Sequence, residues 1–132
     1  VYNRRGPETA INGEINGAGE AMCIHTQRDQ CPWWQVDLGR LAVINTIEVW
    51  NREDVPLDLS QGEDYFTKRL FPCWLLLSTD PFPEGTSGQV LNDSANMAVA
   101  RVKMKKDKRR TVWELPTNSV GRYVRIMLEG TF

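Results

Sequence analysis

The chain has 132 residues, a formal net charge of −1 and 41% hydrophobic residues. That length fits one domain, 1–132, able to bury a real core, and the apolar fraction argues against disorder. No run approaches the ~20 apolar residues of a membrane helix, so direct insertion is not expected, and the near-neutral balance names no partner class.

In chain order, Val1 to Pro7 is polar and basic with no apolar signal core behind it. The expectation is a removed leader or a piece of a larger protein. Trp33 to Leu38 alternates, with Trp34, Val36 and Leu38 on one face and Trp33, Gln35 and Asp37 on the other. A turn through Gly39 to Ala42 should follow. Val43 to Arg52 then reads as a strand with Val43, Ile47 and Val49 inward and Glu48, Trp50 and Arg52 outward. Cys73 to Ser78 is nearly continuous in apolar residues, as a strand covered on both sides should be. Arg101 to Lys105, Thr111 to Leu115 and Tyr123 to Leu128 complete the set, the last with Val124, Ile126 and Leu128 inward.

No amphipathic helical repeat extends beyond two turns, and Gly and Pro punctuate at short intervals. Short strands between such turns predict an all-β sandwich or jelly roll. A jelly roll has about eight strands, and about six are visible, so one or more terminal strands are expected to be absent from this chain. Trp33, Trp34, Trp74 and Trp113 are expected to pack in the core or at its rim, with Trp50 outward.

Charge is unevenly distributed. Seven basic residues face only Asp107 between Arg101 and Arg110, a net +6 that leaves −7 for the rest. Lys105 to Arg110 is expected to be a solvated hairpin tip; an anionic surface is the weaker alternative. The run lacks the interleaved aromatic residues that stack on bases, so no nucleic-acid partner is expected. No Gly-x-Ser-x-Gly, phosphate loop or other catalytic set occurs, which argues against an enzyme. The three cysteines, Cys23, Cys31 and Cys73, form no Cys-x-x-Cys and accompany one histidine, so structural zinc is not expected. In a secreted protein the odd count means one bridge with a leftover thiol, or a partner outside the chain.

The most informative stretches are Cys23-Ile-His25-Thr26, Pro32-Trp-Trp-Gln-Val-Asp-Leu-Gly39, Trp50-Asn-Arg52-Glu-Asp54 and Lys68-Arg69-Leu70. Together with Ser78-Thr-Asp-Pro-Phe82 and Gly121-Arg-Tyr-Val-Arg-Ile126, they resemble the F-type lectin (fucolectin) family of the discoidin, F5/8 type C-like superfamily. The resemblance runs from about Glu8 to Leu128. It implies an all-β, discoidin-like jelly-roll β-sandwich, secreted or at the cell surface, that binds a fucosylated glycan. The family's sugar signature is His, then 26 residues, then Arg-x-Asp; here 26 residues separate His25 from Arg52, with Asp54 two further on. Carried over, His25, Arg52 and Arg69 would hold the sugar and Asp54 would orient them.

The chemistry is coherent. A deoxyhexose offers hydroxyl and ring oxygens as acceptors, plus an apolar methyl and a C–H face. Arginine presents five fixed donors and keeps its charge. A carboxylate behind it sets its orientation through charge-assisted bonds, and aromatic residues can cover the apolar side. Departures from the family's sugar-site pattern fall after Asp54. Fourteen residues stand between Asp54 and Arg69 where the family has four, and Val55-Pro56 replaces its adjacent cysteines. These departures support a rival reading, a module that has lost sugar binding and contacts neighbouring protein subunits through Val55 to Thr67.

The resemblance also implies a structural Ca²⁺ near the start, where Ala10-Ile-Asn12-Gly-Glu14 matches the family's calcium loop. Asn12 and Glu14 keep oxygen ligands suited to it. At the same calcium site, Met22 stands where the family has a serine. In the family the equivalent of Cys23 pairs with a cysteine near the final strand, so the resemblance implies that Cys23 lacks its partner in this chain; leftover parity then suggests a bridge between Cys31 and Cys73. The alternating acids of Asp58 to Asp64 lack the downstream glutamate of a calcium loop, so a solvated loop is expected there.

Overall fold

The structure is a computed structural model that describes residues 6–15, 24–53, 57, 58, 60, 62, 65–83, 97–102 and 109–130. A short 3₁₀ helix, η1 (Pro7–Ile11), precedes β1 (Trp33–Val43) and β2 (Thr46–Trp50). A second, η2 (Thr67–Leu70), leads into β3 (Cys73–Ser78), then β4 (Met97–Val102), β5 (Arg110–Glu114) and β6 (Val120–Leu128). Every pairing is antiparallel. One sheet has the order β1-β6-β3-β4, and β2 pairs with β5 in a second. The all-β sandwich is therefore observed, with six strands among the described residues.

β3 organises the interior. Its six residues are all buried, because β6 and β4 flank it and both of its faces are covered. Cys73 and Leu75 face the second sheet, packing with Phe71 and with Val49 and Trp113 of β2 and β5. Trp74 and Leu76 point the other way, onto Phe82 and Met127, with Cys31 and Tyr123 at the margin. Period-two alternation thus places two clusters back to back across one sheet. β6 serves both: Ile126 and Leu128 pack toward the second sheet, and Met127 lies on the opposite side.

Several predicted elements shift. β1 does not turn at Gly39 but runs on to Val43, so Val43 belongs to β1 and is exposed. Gly39 adopts φ +77°, and the β1–β6 register slips between Asp37 and Ala42, so the glycine marks a bulge. Asp37 pins this bulge: it accepts the Gly39 N–H at 2.8 Å and grips Arg122 of β6 through Nε at 2.7 Å and Nη2 at 2.9 Å. The paired hydrogen bonds from Arg122 pull the Asp37 pKa down to about 2. The pair is exposed, so it fixes local geometry more than it stabilises the fold. The expected hairpin around Lys105 to Arg110 is not formed, because β4 ends in the first sheet and β5 begins in the second. Residues 103–108, which hold most of the basic run, lie outside the described residues.

The bridge expected between Cys31 and Cys73 is absent, and both thiols are free. They sit in the clusters on opposite faces of the β3 sheet, so the sheet itself separates them. Cys23 lies outside the described residues. Burial, reinforced by the Glu129 charge, pushes the Cys73 thiol up to about 12, so it stays protonated and unreactive at neutral pH. Iodoacetamide labelling with peptide mapping should therefore modify half-buried Cys31 well before Cys73, which should react only after denaturant unfolds the chain. Equal labelling of the two in the native state would contradict this packing.

Candidate functional site

The residues predicted to bind sugar fall on three segments. His25 lies on the loop before β1, half-buried, with its Nδ1 3.4 Å from the Thr26 carbonyl oxygen. Arg52 follows the end of β2, and Arg69 lies within η2. Asp54 lies outside the described residues, as do Val55 and Pro56.

The end of β2 and the start of η2 are tied together by side chains. Asn51 Nδ2 donates to the Thr67 carbonyl at 2.6 Å, while its Oδ1 accepts the Arg52 backbone N–H at 2.9 Å. Asn51 also donates its own N–H to the Arg109 carbonyl at 2.9 Å, which anchors the junction to the segment entering β5. Arg69 in turn donates its backbone N–H to the Phe66 carbonyl at 3.3 Å. Arg52 and Arg69 are thus held at one end of the sandwich through Asn51 and the Phe66–Thr67 step, although seventeen positions apart in the chain.

Arg52 departs from its expected outward placement. The residue is only 9% exposed, with its guanidinium carbon 3.9 Å from the centre of the Phe66 ring. The reason is local. β2 ends at Trp50, so strict alternation no longer governs Arg52, and the inserted segment returns its last aromatic residue over the guanidinium face. Tyr65 braces that ring edge-on, with centroids 5.2 Å apart, and the Lys68 ammonium lies 5.8 Å from the Tyr65 centre. Arg69 remains half-buried, and its guanidinium meets no hydrogen-bond or ion-pair partner among the described residues.

Trp50 faces outward as expected, flanked by the Arg109 and Arg110 guanidinium groups at 5.4 and 5.7 Å. Glu53 meets Arg109 at 3.2 Å, and Glu48 takes a two-pronged contact from Arg110, which holds the Glu48 carboxyl below its usual range. Asn51 and Phe66 were not singled out from sequence, and Arg109 was read only as part of the basic run. Asn51 stood inside the quoted Trp50-Asn-Arg52 stretch, but Phe66 and Arg109 acquire their roles only through contacts distant in the chain.

At the start of the chain, Asn12 Oδ1 accepts the Glu14 N–H at 2.8 Å around Gly13, whose φ is +83°. Both side chains are exposed. Their amide and carboxylate oxygens are the hard donors calcium takes, and the Asn12 oxygen has a second lone pair beyond its turn contact. Two such ligands are fewer than calcium's usual six to eight. No cluster of three or more His, Cys, Asp or Glu able to hold a metal occurs among the described residues.

The described residues thus form a two-sheet antiparallel β-sandwich with arginines gathered at one end. Residues 9–126 match the NedA-like, galactose-binding domain family, of the F5/8 type C class, and the chain belongs to that family. Its fold is similar to the lectin domain of lectinolysin, solved with Lewis B antigen, at TM-score 0.71 and 20% identity, covering 96% of this chain and 74% of that one. It is also similar to two fucose-binding modules of Streptococcus pneumoniae. One has TM-score 0.70 and 20% identity, with 95% and 74% covered. The other has 0.65 and 18%, with 99% and 76% covered. No curated protein matches the chain. The recognition of a discoidin-like, F-type lectin domain made from the motif stretches thus holds, as does the jelly-roll fold class.

Proposed function

We propose that this chain is a non-enzymatic carbohydrate-binding module of extracellular or cell-surface type, and that its ligand is a fucosylated glycan. The observation that carries this is the joining of Arg52 and Arg69 at one end of the sandwich by Asn51 and the Phe66–Thr67 step. Two guanidinium groups on rigid supports give the fixed donors that ring and hydroxyl oxygens require. His25 would add a ring nitrogen and Asp54 an orienting carboxylate. The family membership and the lectin and fucose-binding modules of like fold support the same reading. A structural Ca²⁺ held in part by Asn12 and Glu14 is included in the proposal. Its chemistry would be to cross-link the early loop to other oxygen donors.

The low exposure of Arg52 supports a second reading, a discoidin-like interaction module that contacts neighbouring protein subunits and binds no sugar.

Calorimetric titration with L-fucose, in calcium and in chelator, separates the two. The expected result is saturable heat that Arg52→Ala abolishes with the fold intact by circular dichroism, and weaker binding in chelator. No heat at millimolar sugar would reject the lectin reading in favour of the interaction module. Calcium-independent binding and thermal stability would reject the metal alone.

A further inference from the structure

The inserted segment between Asp54 and Arg69 departs from the family spacing, yet Phe66 and Thr67 near its end contact the proposed site. Phe66 lays its ring 3.9 Å from the Arg52 guanidinium carbon, within stacking distance. Tyr65 braces Phe66 edge-on at 70°, and the backbone at Phe66 and Thr67 is hydrogen-bonded to the site itself. The Phe66 carbonyl receives the Arg69 N–H, and the Thr67 carbonyl receives the Asn51 amide. One aromatic ring and two adjacent carbonyls thus register the insertion against both arginines.

We propose that Phe66 is a positioning residue for ligand binding: it acts through Arg52, holding the guanidinium plane so that only its N–H edge faces a ligand. This rests on the sugar-binding reading. Stacking has two consequences. It removes the rotamer freedom of a long side chain before the ligand arrives, which lowers the entropy cost of binding. It also commits Arg52 to acceptors lying in its own plane, such as two neighbouring sugar oxygens taken in a two-pronged contact.

The test uses the whole chain as wild type, Phe66→Leu and Phe66→Tyr. Leucine keeps apolar bulk but has no ring face; tyrosine keeps the ring. Two readouts are taken: L-fucose affinity by calorimetry, and the Arg52 Nε–H resonance, which senses ring current with or without sugar. Phe66→Leu should weaken fucose binding roughly tenfold and move the Arg52 resonance. Phe66→Tyr should leave both near wild type, and the thermal midpoints should stay close. Unchanged affinity in Phe66→Leu, or equal losses in both variants, would overturn the proposal. Wild type that binds no fucose would defeat the lectin reading and with it the ligand-positioning role. The Arg52 resonance would then report whether the stacking exists, so the two failures are distinguishable.

Discussion

Leu75→Ala is expected to cost about 2–5 kcal/mol, much of what holds a domain of this size together. Leu75 is wholly buried in the centre of β3, paired with Ala100 of β4 and Ile126 of β6. Its side chain lies in the cluster that joins the two sheets through Phe71, Cys73, Val49 and Trp113. β3 has a hydrogen-bonded neighbour on each side, so the backbone cannot move in to fill the space. The cost is then the lost transfer energy plus a cavity, toward the upper part of the range. With the usual unfolding entropy per residue, the thermal midpoint should fall by roughly 10 °C. Leu57, fully exposed, is the control, and its replacement by Ala should change stability by less than about 0.5 kcal/mol. A Leu75→Ala midpoint equal to that of Leu57→Ala would refute the inter-sheet core.

What the sequence made legible depended on whether local pattern or distant contact decided the outcome. The apolar run Cys73 to Ser78 is the observed β3, because a strand covered on both faces has no polar alternation to preserve. β6 was read from Tyr123 and begins at Val120; its buried Gly121 has no side chain to announce a strand. Gly39 was read as a turn because glycine serves both turns and bulges through the same positive φ. The Asp37–Arg122 contact that favours the bulge spans 85 positions. The supposed hairpin failed for a similar reason, since alternation within Arg101 to Lys105 and Thr111 to Leu115 says nothing about which sheet each strand joins.

The candidate site shows the same division. The spacing of His25, Arg52 and Asp54 singled out the segment after β2, and the Asn51 hydrogen bonds tie that segment to the one that carries Arg69. The depth of Arg52 was not legible, because the ring that covers it comes from an insertion with no periodic signal of its own. The cysteine pairing failed because parity counts thiols without placing them, and a β-sheet stands between Cys31 and Cys73.

Arg125 is the clearest case of a charged residue that alternation alone would place at the surface, and its replacement carries the second large expected effect. It is 2% exposed, with its guanidinium 4.2 Å from the Trp33 ring centre and 4.7 Å from that of Phe82. Gln35, its partner across the β1–β6 ladder, accepts from Nε at 3.1 Å and Nη2 at 2.9 Å. The planar group fills a slot between two aromatic rings and donates along its edge, a combination that depends on guanidinium geometry. Arg125→Ala removes both ring contacts and leaves the Gln35 carbonyl without these donors. The expected loss is on the order of 3 kcal/mol, from cation–π and charged hydrogen-bond terms together. Arg125→Lys keeps the charge but has neither the plane nor the fork, so it should recover less than half of that loss in urea unfolding. Because Arg125 packs on the face of the β3 sheet turned away from β2 and β5, sugar affinity should survive in whatever fraction stays folded. A lysine variant as stable as wild type would show that charge alone suffices there, and that the stacked slot contributes nothing.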